Sequence, residues 1–209
     1  MTAADLLAAA RSLTDQGLNR GTAGNVSCRC AEGFMITPTG MDYGQCLADD
    51  MVTIDAAGRP RGRRRPSSEW RFHRDIYLAR AEANAIVHCH SPFAVSLACQ
   101  HLDIPPFNYM VARFGGRDIR CAGYATFGTQ ELSDRIMAAL DGRSGCLMAH
   151  HGLVVFGRDL ASAVALAVEL ESLCEQYWRV LAIGTPRLLP DDEMDRVLAR
   201  FADYGRQDA

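Results

Sequence analysis

The 209-residue chain contains no lysine; its 22 basic side chains are all arginine. A Schiff base needs an amine that gives up its proton near neutral pH, and a guanidinium does not. Lysine-based carbonyl chemistry and a lysine-anchored pyridoxal cofactor are therefore excluded from this chain. If it stabilises a carbanion beside a carbonyl, a metal ion must be the electron sink. A strong charge of either sign is also missing. The formal net charge is -3, so no global field draws nucleic acid or an anionic membrane. The longest apolar stretches, such as Leu160–Leu170, are interrupted by Ser162 and Glu169 and fall short of a membrane span. Met1-Thr2-Ala3-Ala4-Asp5 lacks the basic-then-apolar pattern of a secretory leader. The eight cysteines form no CxxC pair, and reduced thiols in a cytoplasmic protein are the expectation.

What is present alternates between two periods. Residues 2–17 read as a helix capped by Thr2, with Gly17 past its end. Short strands follow at 25–30, 34–37 and 51–55, separated by ITPTG and AAGRP. The loop 61–65 (RGRRR) leads to Pro66-Ser67-Ser68 and a helix over 69–80. An apolar strand at 85–90 precedes a helix over 92–100. Strand-like segments at 108–113, 119–122 and 145–150 alternate with helices over 129–140, 160–182 and 191–203. With no repeat and no linker, residues 1–209 read as one α/β domain. Its central sheet should be mixed or mainly antiparallel, with helices on its faces.

The chemistry concentrates in histidines. In His88-Cys89-His90 the two imidazoles lie two residues apart on a strand, so both face the same way and reach one ion. Ala149-His150-His151-Gly152 ends another apolar segment, expected at a sheet edge beside a cleft. Adjacent strand residues face opposite sides, so one of this pair is a ligand, and spacing does not choose which. Glu69, in Pro-Ser-Ser-Glu-Trp, is by itself an ordinary acidic residue in a first helical turn. His73 lies one turn further on the same face and reads as a packed residue behind the ligands. Three neutral imidazoles and a carboxylate suit Zn²⁺, with Mn²⁺ or Co²⁺ as alternatives. Three segments offer small side chains and free amides to an anion: Gly21–Asn25, Thr37–Gly40, and Ser67-Ser68 at a helix start. None fits a nucleotide-binding fingerprint.

Taken in order, GLNRGTAGNVS, ITPTG, PSSEWRFH, ANAIVHCH, YATFGTQELS, HHGL and ADYG resemble the class II aldolase/adducin family, nearly end to end. That resemblance implies a single α/β domain assembled as a homotetramer with active sites at subunit interfaces. It implies a metal set of Glu69, His88, His90 and His151, and a phosphate site of Asn25, Thr39, Gly40, Ser67 and Ser68, with Gly24 adjacent. It also assigns Glu69 as acid and base, Tyr109 as an active-site tyrosine reaching a neighbouring subunit, Tyr204 as a C-terminal catalytic tyrosine, and Phe127 as an aromatic wall for substrate. The implied reaction is metal-dependent cleavage of a ketose 1-phosphate through a metal-stabilised enediolate, giving dihydroxyacetone phosphate and an aldehyde. The substrate would be L-fuculose 1-phosphate or a 5-deoxy- or 5-methylthio-ribulose 1-phosphate. The same scaffold also carries epimerases, a dehydratase, a decarboxylase and non-catalytic adducin-like modules. The ligands alone would also serve a zinc hydrolase, which gives no reason for three phosphate-like loops.

Overall fold

The computed structural model describes residues 1–203. Among the described residues eight strands form one sheet: β1 (Asn25–Cys30), β2 (Gly33–Ile36), β3 (Val52–Asp55), β4 (Pro60–Arg61), β5 (Ala85–Cys89), β6 (Cys121–Ala122), β7 (Gly145–Met148) and β8 (Gly152–Gly157). Their order across the sheet is β4-β3-β2-β1-β5-β8-β7-β6. Every pairing is antiparallel except β6 with β7, which makes this the mixed, mainly antiparallel α/β sheet expected.

The described residues also include six α-helices: α1 (Ala3–Asp15), α2 (Trp70–Ala79), α3 (Pro92–Cys99), α4 (Gln130–Ala139), α5 (Leu160–Ile183) and α6 (Asp191–Asp203). Thr2 closes a reciprocal capping box with Asp5 at the start of α1. β5, β7 and β8 are buried along their whole length, because helices cover both faces of the sheet. One apolar cluster joins Leu6, Leu13, Leu97, Leu170 and Leu173 from α1, α3 and α5 to Val87 and Cys89. The other joins Phe72 and Ile76 of α2 and Leu132 and Ile136 of α4 to Ile86 and Val154. Alternate residues of β5 thus serve opposite cores. None of the helices among the described residues is long and apolar enough to cross a membrane.

Two local expectations fail. Residues 108–113, rich in strand-forming side chains, fold instead into a 3-10 helix over Tyr109–Phe114. The Asn108 carboxamide accepts from the Met110 amide at 3.0 Å and starts the turn. Gly115 then ends it at φ 91°, and Val111, Ala112 and Phe114 are buried. Second, His150 and His151 do not lie on a strand at the sheet edge. They form the turn between β7 and β8, and β8 pairs with β5 in the middle of the sheet.

The chain after β5 is held by a carboxylate from across the fold. Glu171 of α5 accepts from the Ser91 hydroxyl (2.7 Å) and from the amides of Phe93 (2.8 Å) and Ala94 (2.9 Å). It thereby does for α3 what its own Ser91 N-cap does not. Replacing Glu171 with alanine should destabilise the protein by about 2–3 kcal/mol, the cost expected when charge-assisted bonds to helix amides are lost. The change would be read as a lower urea midpoint at unchanged slope.

Candidate metal centre and anion cradle

Four side chains from three parts of the chain meet at one end of the central strands. His88 sits on β5 and His90 just beyond it, Glu69 immediately precedes α2, and His151 comes from the β7–β8 turn. Their donor atoms all lie within 4.8 Å of one another. His88 Nε2 is 3.0 Å from His90 Nε2 and 3.1 Å from Glu69 Oε2, and His151 Nε2 is 3.3 Å from Glu69 Oε1. Ligands about 2.0–2.1 Å from a tetrahedral ion stand about 3.3 Å apart, so the spacing fits one divalent cation. The hydrogen bonding agrees. His88 Nδ1 bonds the Leu153 carbonyl at 2.8 Å, which makes Nδ1 the donor and leaves Nε2 free to ligate. Glu69 Oε1 is buried with no hydrogen-bond partner, the state of an atom whose partner is a cation.

The electrostatics of the protein alone mark the same place. Burial pushes the imidazoles of His90 and His151 down, to about 4 and about 3, and the nearby His88 adds to the effect. Burial acts on His88 in the same direction, but the Glu69 carboxylate outweighs it and raises His88 above its ordinary value. Burial works to raise Glu69, yet the charge on His88 holds it well below the carboxylate range. A cation competes with protons for such ligands, so its binding depends on pH.

Glu69, His90 and His151 line a cleft of about 330 Å³, and His88 is fully buried beside them. Three further segments line the same cleft. Thr22, Ala23, Gly24 and Asn25 come from one, Pro38, Thr39 and Gly40 from a second, and Ser67 and Ser68 from the third. Their junctions are fixed by the backbone. The Thr39 amide donates to the Arg65 carbonyl and the Ser67 amide to the Thr37 carbonyl, at 3.1 and 3.0 Å. Gly24 has φ 74°, and a Cβ there would lie 2.6 Å from the His88 carbonyl, so only glycine brings this loop against the metal strand. The basic loop does not face the cleft. Arg63 and Arg64 both grip buried Asp50.

Six positions expected in the anion site, Gly24, Asn25, Thr39, Gly40, Ser67 and Ser68, thus line this one cleft, as does Phe127, which is 65% exposed. Asn25 is more than a loop donor, because its carboxamide nitrogen donates to Glu69 Oε2 at 2.9 Å. His150 is not among the clustered ligands. It is exposed, has φ 56°, and its Nε2 lies 2.8 Å from His101 Nε2. Tyr109 does not line the cleft of its own chain; it is 54% exposed on the 3-10 helix. Tyr204 lies outside the described residues. Sequence reasoning gave no role to Tyr124, which lines the mouth of the cleft, or to Asn19, whose side-chain oxygen accepts from the His90 amide at 3.2 Å. Both sit inside quoted motifs, YATFGTQ and GLNRGTAGN, but neither residue type announces a function by itself.

The profile described as "Class II Aldolase and Adducin N-terminal domain" matches residues 4–178. The chain belongs to the class II aldolase/adducin family. It is 54% identical over 200 residues to a 5-methylthioribulose-1-phosphate/5-deoxyribulose-1-phosphate aldolase of Rhodospirillum rubrum, covering 96% of this chain and 90% of that one. It is 44% identical over 194 residues to the L-fuculose phosphate aldolase of Escherichia coli K12, covering 92% and 90%. A solved L-fuculose 1-phosphate aldolase superposes with a TM-score of 0.92 at 35% identity, covering 96% of both chains. The protein is a class II aldolase, a carbon–carbon lyase, and its family likeness agrees with a metal held by the histidine–glutamate cluster.

Proposed function

We propose that this class II aldolase cleaves a 5-deoxy- or 5-methylthio-ribulose 1-phosphate between carbons 3 and 4. The products are dihydroxyacetone phosphate and acetaldehyde or its methylthio derivative. The observation that carries the reading is that Glu69, His90 and His151 of the four-residue donor set line the same cleft as the three small-residue segments. A ketose 1-phosphate carries an anion and a carbonyl in one molecule, and so has a group for each. The choice of outer carbon is supported by the Rhodospirillum rubrum relative and by Phe127 and Tyr124 at the mouth, where an apolar terminus meets aromatic rings. L-Fuculose 1-phosphate, which would yield a hydroxylated aldehyde, is the second reading, favoured by the likeness to the solved fuculose enzyme.

Ser67, Ser68, Thr39, Gly40, Gly24 and Asn25 hold the phosphate with amides and hydroxyls, giving binding energy remote from the reacting bond. His88, His90, His151 and Glu69 hold Zn²⁺, or Mn²⁺ or Co²⁺ in its place. The ion supplies an electrophile that draws charge from the ketose carbonyl. Glu69 carries the proton to and from carbon 3 as the bond breaks and forms. Burial works to raise its carboxyl, against the lowering by His88, His151 and the Asn25 hydrogen bond. Tyr109 and Tyr204 serve the aldehyde-side oxygen, Tyr109 from a neighbouring subunit of a cytoplasmic homotetramer.

Purified protein incubated with 5-deoxyribulose 1-phosphate should release dihydroxyacetone phosphate. Chelation should stop the release, and Zn²⁺, Mn²⁺ or Co²⁺ should restore it. Faster release from fuculose 1-phosphate would reverse the order of substrates. No release from either substrate by metal-loaded protein would replace cleavage with epimerisation, dehydration or decarboxylation.

A further inference from the structure

From Glu69 runs a line of buried polar side chains in which only Asn25, which also lines the cleft, has been given a role. The Tyr77 hydroxyl is 2.8 Å from Ser27 Oγ, and Ser27 Oγ is 2.7 Å from His73 Nδ1. His73 Nε2 is 2.6 Å from Asn25 Oδ1, and Asn25 Nδ2 is 2.9 Å from Glu69 Oε2. Ser27 and His73 are fully buried, and Asn25 and Tyr77 nearly so.

The donor direction at every link follows from the last one. An ionised carboxylate only accepts, so the Asn25 amide nitrogen faces Glu69 and its oxygen faces His73. His73 must then carry its proton on Nε2 and donate to Asn25. Burial pushes the His73 imidazole down to about 3, so the ring is neutral and its Nδ1 accepts. Ser27 therefore donates to His73, and Tyr77 donates to Ser27. Each donor points toward Glu69, so the bonds polarise one another in the same sense. If the His73 proton moved to Nδ1, Asn25 Oδ1 would lose its donor. The carboxamide would then gain by flipping, which would set its oxygen against the Glu69 carboxylate.

We infer that His73 is a positioning residue for the aldolase reaction: through Asn25 it fixes the orientation of the Glu69 carboxylate, with Ser27 and Tyr77 locking its tautomer. The inference rests on the acid–base role proposed for Glu69.

Two measurements test it. Nitrogen-15 spectra of the metal-free protein should show His73 as a neutral Nε2–H ring across pH 6–8 (about the range in which a free imidazole titrates). A neutral Nδ1–H ring or a protonated ring would overturn the donor direction whether or not the protein is an aldolase. The second is a comparison of His73→Leu with His73→Gln, whose amide nitrogen can replace the Nε2 donor. With folding checked by thermal melting and metal content by elemental analysis, His73→Leu should lower kcat about 10–100-fold, the usual cost of removing a partner that orients a ligand. KM should stay within about threefold, because phosphate binding is retained. His73→Gln should recover most of the loss, and in a Glu69→Gln background His73→Leu should cost nothing further. Equal losses in the Leu and Gln variants, or a full additional loss in the Glu69→Gln background, would show that His73 does not act through Glu69. A wild-type protein that cleaves no ketose 1-phosphate would remove the proposed reaction instead, leaving the tautomer result to stand or fall separately. If His73→Leu does not fold, the wild-type spectrum and His73→Gln still decide.

Discussion

Replacing Glu69 with glutamine is expected to lower kcat for ketose 1-phosphate cleavage by about 10²–10⁴-fold, the range of a lost general acid–base. The substitution keeps the volume of the side chain and one acceptor oxygen. That oxygen can still take the Asn25 bond that Glu69 Oε2 now accepts at 2.9 Å. The new amide nitrogen then faces His151, where Glu69 Oε1 lies 3.3 Å from the imidazole. It presents hydrogens to the donor set and no negative charge. Proton carriage at carbon 3 is lost outright, and metal affinity falls as well, so the assay belongs at saturating metal. The cradle is untouched, since Thr39, Gly40 and Ser68 do not depend on the carboxylate. Inhibition by inorganic phosphate should therefore stay within about threefold of the wild type, as expected when only interactions at the reacting centre are removed. Turnover equal to wild type at saturating metal would end the assignment of Glu69 as acid and base.

The second large effect separates two neighbours of identical chemistry. His151→Ala should empty the metal site at micromolar metal and reduce cleavage by at least about 100-fold, beyond the usual cost of losing a supporting partner alone. His150→Ala should leave one ion per chain. The difference is geometric. His151 Nε2 stands 3.3 Å from Glu69, within the donor cluster, whereas His150 Nε2 is turned to His101 at 2.8 Å. Elemental analysis of the two purified variants reads the contrast directly. Equal metal content in both would remove His151 from the donor set.

The HxH pair was legible because strand alternation is a local rule, and β5 obeys it: Val87 and Cys89 serve one core while Ile86 serves the other. The choice between His150 and His151 was not legible from spacing. Alternation applies to strands, and these residues form a turn whose shape depends on the pairing of β7 with β8. Glu69 needed the resemblance, since nothing within its own turn distinguishes it from a dipole partner of α2. The segment 109–114 misled for a related reason. Its side chains suit a strand, but the Asn108 carboxamide and Gly115 impose a turn at each end. His73 could be placed on the Glu69 face of its helix from spacing alone. Its bond to Asn25, 48 positions away, is tertiary information that no window of sequence holds.

The division of β5 between two cores bears on what the gene can tolerate. In antiparallel pairing a shift of one residue exchanges the faces of a strand. An insertion of a single codon in β5 ahead of His88 would turn the two imidazoles toward the leucine-lined cluster of α3 and α5 and present a thiol to Glu69. The strand is paired on both sides, to β1 and β8, so no free edge lets it bulge cheaply. In a library of single-residue insertions, the turn 56–59 between β3 and β4 on the outer edge should accept new residues, while β5 should be nearly silent. Drift in chain length is thereby confined to the rim of the sheet, far from the chemistry.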